Sequence, residues 1–246
     1  MTYRRALLAL IFGGVFFLGL LVFAPASLMG YALERASGKT LSLAQTTGSL
    51  WQGSGVVLLR QHARFQTLGN YRWQLRLADA SLQVQAEEHP PMSMRYLPFS
   101  RKIAIDDIQL DLPASMLEIA APQLGPYQLQ GMLDVHGQHL TLDISGMDGQ
   151  LTVEWAHAAS ALSEIRPLGD YRIVLQGKGS TVDGQLTTLS GKLQLSANGT
   201  YDSASGLRLN GTAQAAPGDS AMELNELLHH IGPEVSPGVF ALALMP

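Results

Sequence analysis

Hydrophobic and polar positions change their rhythm twice along this chain. From Ala6 to Ala24 there are 19 consecutive residues with no charge and no strong hydrogen-bonding side chain, ALLALIFGGVFFLGLLVFA. A helix of that length spans roughly 28 Å, close to the hydrocarbon thickness of a bilayer. The run therefore predicts a transmembrane anchor, with Ala6, Phe12, Phe16, Leu20 and Ala24 marking it from end to end. Residues 27–40, SLMGYALERASGKT, then read as a short membrane-proximal helix or linker ending at Gly38.

Beyond Thr40 the period becomes two. Apolar and polar residues alternate in Leu41–Leu43, Tyr71–Leu77, Leu82–Ala86, Ile103–Ile105, Ile108–Leu112, Leu140–Ile144, Leu193–Leu195 and Leu207–Leu209. Alternation of this kind marks strands with one buried face and one wet face. Gly69-Asn70, Asp148-Gly149, Asp183-Gly184 and Ser205-Gly206 are expected to be the turns between strands. Helical signals are few. Leu112–Ala121 suits a short helix with Pro113 in its first turn, and Ser160–Ile165 suits one further turn. The clearest helix is Ser220–Ile231, where Ser220 and Glu223 form a capping-box pattern and Gly232-Pro233 ends it. The predicted fold is mainly β: an N-terminal transmembrane helix, then one antiparallel sheet-rich domain with a few short helices. The expected divisions are 1–26 for tip and anchor, 27–40 for the linker or helix, and 41–246 for the β-rich domain, with Glu87–Pro91 as an exposed loop.

Charge gives the orientation. Arg4 and Arg5 stand directly before the apolar run, whereas the first carboxylate is Glu34. The positive-inside rule keeps this end in the cytoplasm and sends the rest across the membrane. A competing reading is a cleaved signal peptide, since Ala24-Pro25-Ala26 has the small-x-small form of a cleavage site. Both readings put the sheet outside the cytoplasm. After the apolar run the chain carries fourteen basic against twenty acidic residues. A net of −6 argues against nucleic acid as a partner. There is no cysteine, which removes disulfides, thiolate metal sites and cysteine nucleophiles together.

Candidate chemistry is sparse. His136-x-x-His139, near Asp134 and Asp143, is the best metal motif, but residues three apart on a strand diverge, and a solvated loop is the preferred reading. His229-His230 suits capping of the last helix's carbonyls. Asp106-Asp107 reads as a turn, and Asn198-Gly199-Thr200 and Asn210-Gly211-Thr212 as bends in or beside strands. No nucleophile, phosphate-loop or zinc-protease pattern occurs, so neither a catalytic residue nor a cofactor is assigned. Leu68–Leu75 recurs as Leu168–Leu175, matching at six of eight positions when Asn70 is counted against Asp170. The repeat points to one sheet module used twice. Trp51, Gln52 and Gly53 lie in a glycine-bounded string, Gly48–Gly55, and form with Trp73 and Trp155 a candidate structural or docking motif. Filling a core gap is the first expectation for Trp51, and docking near the membrane the second.

Taken in order, these features resemble the N component of the bacterial type II secretion system, general secretion pathway protein N. The resemblance is carried by the N-terminal anchor, Gly48-Ser49-Leu50-Trp51-Gln52-Gly53, and Leu68-Gly69 leading to Trp73. It continues through Gly149–Trp155, Leu168-Gly169-Asp170-Tyr171 and the strands from Gly184 to Gly211, to Leu227–Gly232 and Gly238–Leu242. It implies a single-pass inner-membrane protein with a periplasmic domain and no catalytic residues. Its expected partners are other inner-membrane secretion components and membrane lipid. That sheet also looks like those of lipid-handling envelope proteins of the AsmA kind, so a lipid-binding or lipid-transfer module is the alternative.

Overall fold

The structure is a computed structural model that describes residues 12–13, 19–61, 64–87, 89–120, 122–202, 205–218 and 220–244. It divides into two compact units, Met1–Pro91 and Met92–Pro246. Among the described residues no helix is long and apolar enough to cross a membrane. Of the predicted anchor, only 12–13 and 19–24 fall within them.

In the first unit, helix α1 (Ser27–Ala36) leads into four antiparallel strands: β1 (Leu41–Gly48), β2 (Gln52–Gln61), β3 (Arg64–Arg76) and β4 (Ser81–Ala86). They pair in sequence order. Register places Gly53 opposite Trp73, Trp73 opposite Val84, and Leu75 opposite Leu82, so these positions share one face. Leu59 and Trp73 are buried on it.

The second unit carries β5 (Met92–Leu97), β6 (Lys102–Asp106), β7 (Ile108–Pro113), β8 (Leu129–Leu142), β9 (Met147–Ser160), β10 (Gly169–Gly179), β11 (Thr181–Gly191), β12 (Leu193–Asp202) and β13 (Gly206–Ala215). Helix α3 (Ser220–Ile231) and strands β14 (Glu234–Ser236) and β15 (Val239–Leu244) complete it, and a short helix α2 (Leu117–Ala120) lies between β7 and β8. Among the described residues every pairing is antiparallel. One long strand serves two short ones: β7 pairs with the Met132–Gly137 part of β8, and β6 with its Leu140–Leu142 end.

All fifteen strands among the described residues belong to one antiparallel sheet, as expected, and two apolar clusters pack on its strands in this second unit. Leu224, Leu227 and Leu228 of α3 pack on Ile165, Leu168, Leu193, Ala213 and Phe240. Each such leucine removed from water contributes about 1.5–3 kcal/mol. Farther along, Leu133, Val135, Val153, Trp155, Ala158 and Tyr171 form a second cluster closed by Ala114. The rings of Trp155 and Tyr171 lie 5.6 Å apart and tilted.

The two-residue alternation found strands where it occurred, except that Leu77 and Asp143–Ile144 fall in the links after β3 and β8, and α3 has the predicted bounds. Three expected turns are corrected. Gly69-Asn70, Asp148-Gly149 and Asp183-Gly184 all lie inside strands. Gly69 and Gly149 have φ of 130° and 115°, so these glycines bend continuous strands instead of ending them. The expected helix from Leu112 is also shorter: β7 runs through Pro113, a 3-10 turn covers Ala114–Met116, and only Leu117–Ala120 is α-helical. Ser160–Ile165 forms turns without a helix.

Candidate functional site

Where the apolar run ends, the chain is fastened to the loop between β1 and β2. The connection from β1 to β2 is the loop Ser49-Leu50-Trp51, made tight by Gly48 at φ 91°, where a β-carbon would stand 2.5 Å from the Gln52 carbonyl oxygen. Ser49 closes the loop on itself. Its backbone N–H donates to the Gln52 carbonyl at 2.9 Å, and its Oγ accepts from the Gln52 N–H at 3.2 Å.

On one side this loop holds the segment leaving the apolar run. Leu50 N–H donates to the Ala24 carbonyl at 2.8 Å, Pro25 and Ser49 form an antiparallel bridge, and the Trp51 indole N–H donates to the Leu21 carbonyl at 2.9 Å. On the other side it is fixed to β3. The Trp73 indole donates to the Leu50 carbonyl at 3.1 Å, and Leu75 N–H donates to the Trp51 carbonyl at 2.7 Å. Three residues thus tie residues 21–25 to the sheet.

The sequence motif is therefore partly assembled. Trp51, Gln52, Gly53 and Trp73 come together at this junction, while Trp155 belongs to the core of the second unit and donates to the Gln130 carbonyl at 2.9 Å. Trp73, not Trp51, fills the core: it is buried, and Trp51 is only half-buried. The expectation for Trp51 is corrected accordingly. Trp51 sits in the glycine-bounded link between β1 and β2, where its indole N–H finds the Leu21 carbonyl. Ala24 is buried at the junction, whereas Phe12 and Leu20 are 80% and 58% exposed. Arg4, Arg5, Ala6 and Phe16 lie outside the described residues.

Sequence reading did not single out Leu21 or the outward face of α1. Leu28, Tyr31, Ala32 and Arg35 are all exposed, at the three- and four-residue spacing of one helix face. That spacing was the available signal.

Elsewhere the charged groups act as fasteners. Lys102 Nζ stands 3.0 Å from Asp148 Oδ2 and 3.6 Å from Asp143 Oδ2, joining β6 to both ends of the β8–β9 turn. The Lys102 hydrogen bond and the Gly179 N–H hold the Asp148 carboxyl below its ordinary pKa, and Asp148 in turn raises Lys102. Asp170 Oδ1 accepts the His157 N–H at 2.8 Å and its Oδ2 accepts from Ser190 Oγ at 2.7 Å, which lowers its pKa. His136 and His139 lie in β8, not in a loop, because that strand is longer than its alternation suggested. His136 Nε2 meets Asp134 Oδ1 at 2.8 Å, and no group of three or more metal-ligating side chains occurs among the described residues. His229 and His230 bring Nδ1 to the Asn225 and Glu226 carbonyls at 2.7 and 2.9 Å, one turn back inside α3, so the expected capping of its last carbonyls is corrected: each ring folds back along its own helix.

Two surface depressions are edged by many polar side chains. One of ≈ 260 Å³ is edged by Gln45, Thr47, Asn70, Arg72 and Gln85 in the first unit. One of ≈ 790 Å³ in the second is edged by Gln176, Gln185, Asn198, Thr200, Arg208 and Asn210.

The fold and junction thus define an antiparallel β-scaffold fixed at one end to an apolar segment. A family model for the type II secretion system (T2SS), protein N, matches residues 39–243. The chain belongs to that family, whose members are components of type II secretion. Searches of curated proteins and of solved structures gave no match.

Proposed function

We propose that this chain is a non-enzymatic, single-pass inner-membrane subunit of a type II secretion system. Its N-terminus lies in the cytoplasm and its sheet in the periplasm, and it assists export of folded proteins through contacts with other secretion subunits. The family match over 39–243 carries this reading. The 19-residue apolar run behind Arg4 and Arg5 supports the membrane location and orientation. The junction at Trp51 supports an anchor that positions a scaffold. Contacts to partners fall on exposed strand edges and on the Trp51 loop. β1 is a poor template for strand addition, because Gln45 sits at φ 51° and the register shifts between Ala44 and Thr47.

The test is affinity purification of the tagged full chain from detergent-extracted membranes, with mass spectrometry of proteins and lipids, beside a deletion strain assayed for exoprotein secretion. Secretion subunits in the eluate and loss of secretion are expected. Intact secretion with phospholipid as the sole partner would overturn the proposal in favour of lipid handling.

A further inference from the structure

The end of the apolar run has no slack. Ala24 is bonded to Leu50, Leu21 to Trp51, and Pro25 is bridged to Ser49, so the run's last residues are held directly against the loop between β1 and β2. Helix α1 lies beside this junction. It turns Gly30 towards β1, where a β-carbon would reach Leu43 Cβ at 3.5 Å. Buried Ala26 lies on the same side. Its opposite face leaves Leu28 and Tyr31 45% and 62% exposed, with Phe23 at 83% just before the helix.

The order of residue types along that face is informative. Phe23 and Leu28 come first, then Tyr31 with its polar tip, then exposed Arg35 and, beyond the helix, exposed Lys39. Leu28 and Arg35 are about 10 Å apart along the axis. Apolar groups, then an amphipathic aromatic, then cations follow the sequence of environments from acyl chains through headgroups to phosphates. Arginine and lysine can keep their charge at the phosphates while their stems cover apolar surface.

We infer that the first unit is seated on the bilayer surface, with the Leu28–Tyr31–Arg35 face of α1 and the Trp51 loop in the headgroup layer and anionic phospholipid at Arg35 and Lys39. The occupant of this face is lipid, because the face continues the apolar run and its charges complement phosphate. The inference rests on the anchor reading above. It deepens that reading: the scaffold does not swing on a tether but stands at a fixed height and angle.

The absence of cysteine makes the test direct. Full-length Phe12→Cys, Leu28→Cys, Tyr31→Cys and Gln185→Cys are spin-labelled and reconstituted in vesicles of phosphatidylethanolamine and phosphatidylglycerol. Power-saturation EPR then compares access to oxygen with access to a nickel chelate. Oxygen-to-nickel ratios several-fold above that at Gln185 are expected at Phe12, Leu28 and Tyr31. Should Phe12 report lipid while Leu28 and Tyr31 match Gln185, the seating is overturned and the anchor stands. A watery Phe12 would overturn both. A ratio at Tyr31 that is unaltered in Arg35→Glu/Lys39→Glu would overturn the role given to anionic headgroups.

Discussion

The indole of Trp73 fills the space that a side chain on Gly53 would need: a β-carbon there would stand 2.5 Å from Trp73 Cζ2. The second unit repeats the arrangement with different residues. A β-carbon on Gly131 would stand 2.8 Å from Trp155 Nε1. In each unit the indole then donates to a carbonyl near the facing glycine, that of Leu50 or of Gln130. A tryptophan laid over a glycine on the adjacent strand seals the sheet face and gives the indole N–H its partner together.

Gly53→Val is therefore expected to destabilise the protein by about 3 kcal/mol, the cost of overpacking a filled site. Urea titration of the detergent-solubilised chain checks this. Combining Gly53→Val with Trp73→Leu should recover part of the loss, because the two residues share one space. Strict additivity would refute the contact.

Tyr171 is 1% exposed, and its hydroxyl donates to the Leu193 carbonyl at 2.9 Å. Tyr171→Phe leaves that carbonyl unpaired and is expected to cost about 1–3 kcal/mol. Burial, aided by the Asp170 charge, raises the phenol's pKa above its ordinary value. The unfolded chain thus gives up this proton first. The stability contributed is complete below pH about 10 and erodes as pH rises from there towards the folded-state value. Absorbance at alkaline pH should show one fewer tyrosine ionising together with unfolding in Tyr171→Phe than in the wild type.

Asp170 has the opposite sign. Its pKa is lowered by the His157 N–H and the Ser190 hydroxyl, so the unfolded state binds the proton first as pH falls. Its contribution is present above pH about 4 and is lost as pH drops through the lower folded value. Asp170→Asn should lower the urea midpoint at pH 7 and flatten its fall between neutral and acid pH. A parallel acid limb would refute the assignment.

Leu224 is fully buried between α3 and the sheet. Leu224→Ala is expected to cost about 2–5 kcal/mol through lost burial and the cavity left behind. Exposed Val235→Ala, in the short strand β14, should change the same midpoint little.

The six-of-eight repeat shows what a sequence match does and does not reveal. Both copies sit at register shifts, between Val57 and Leu58 opposite β3 and between Asp170 and Tyr171 in β10. Yet Gly69 has φ of 130°, whereas Gly169 is not in the left-handed region and lies against the Ser190 carbonyl. Tyr171 is buried and Tyr71 only partly so. One local string therefore serves two different cross-strand settings.

By itself the sequence determined the apolar run, the prevalence of antiparallel strands and the bounds of α3. Each follows from which side of a local element meets water, and that period is written in consecutive residues. Tertiary structure alone decided that Gly69, Gly149 and Gly184 lie inside strands, that β6 and β7 share β8, and that Trp51 finds its acceptor at Leu21, 30 residues away. These outcomes depend on the neighbouring strand or segment. A glycine becomes a bend or a turn, and a tryptophan a core residue or a clasp, according to what the fold places beside it.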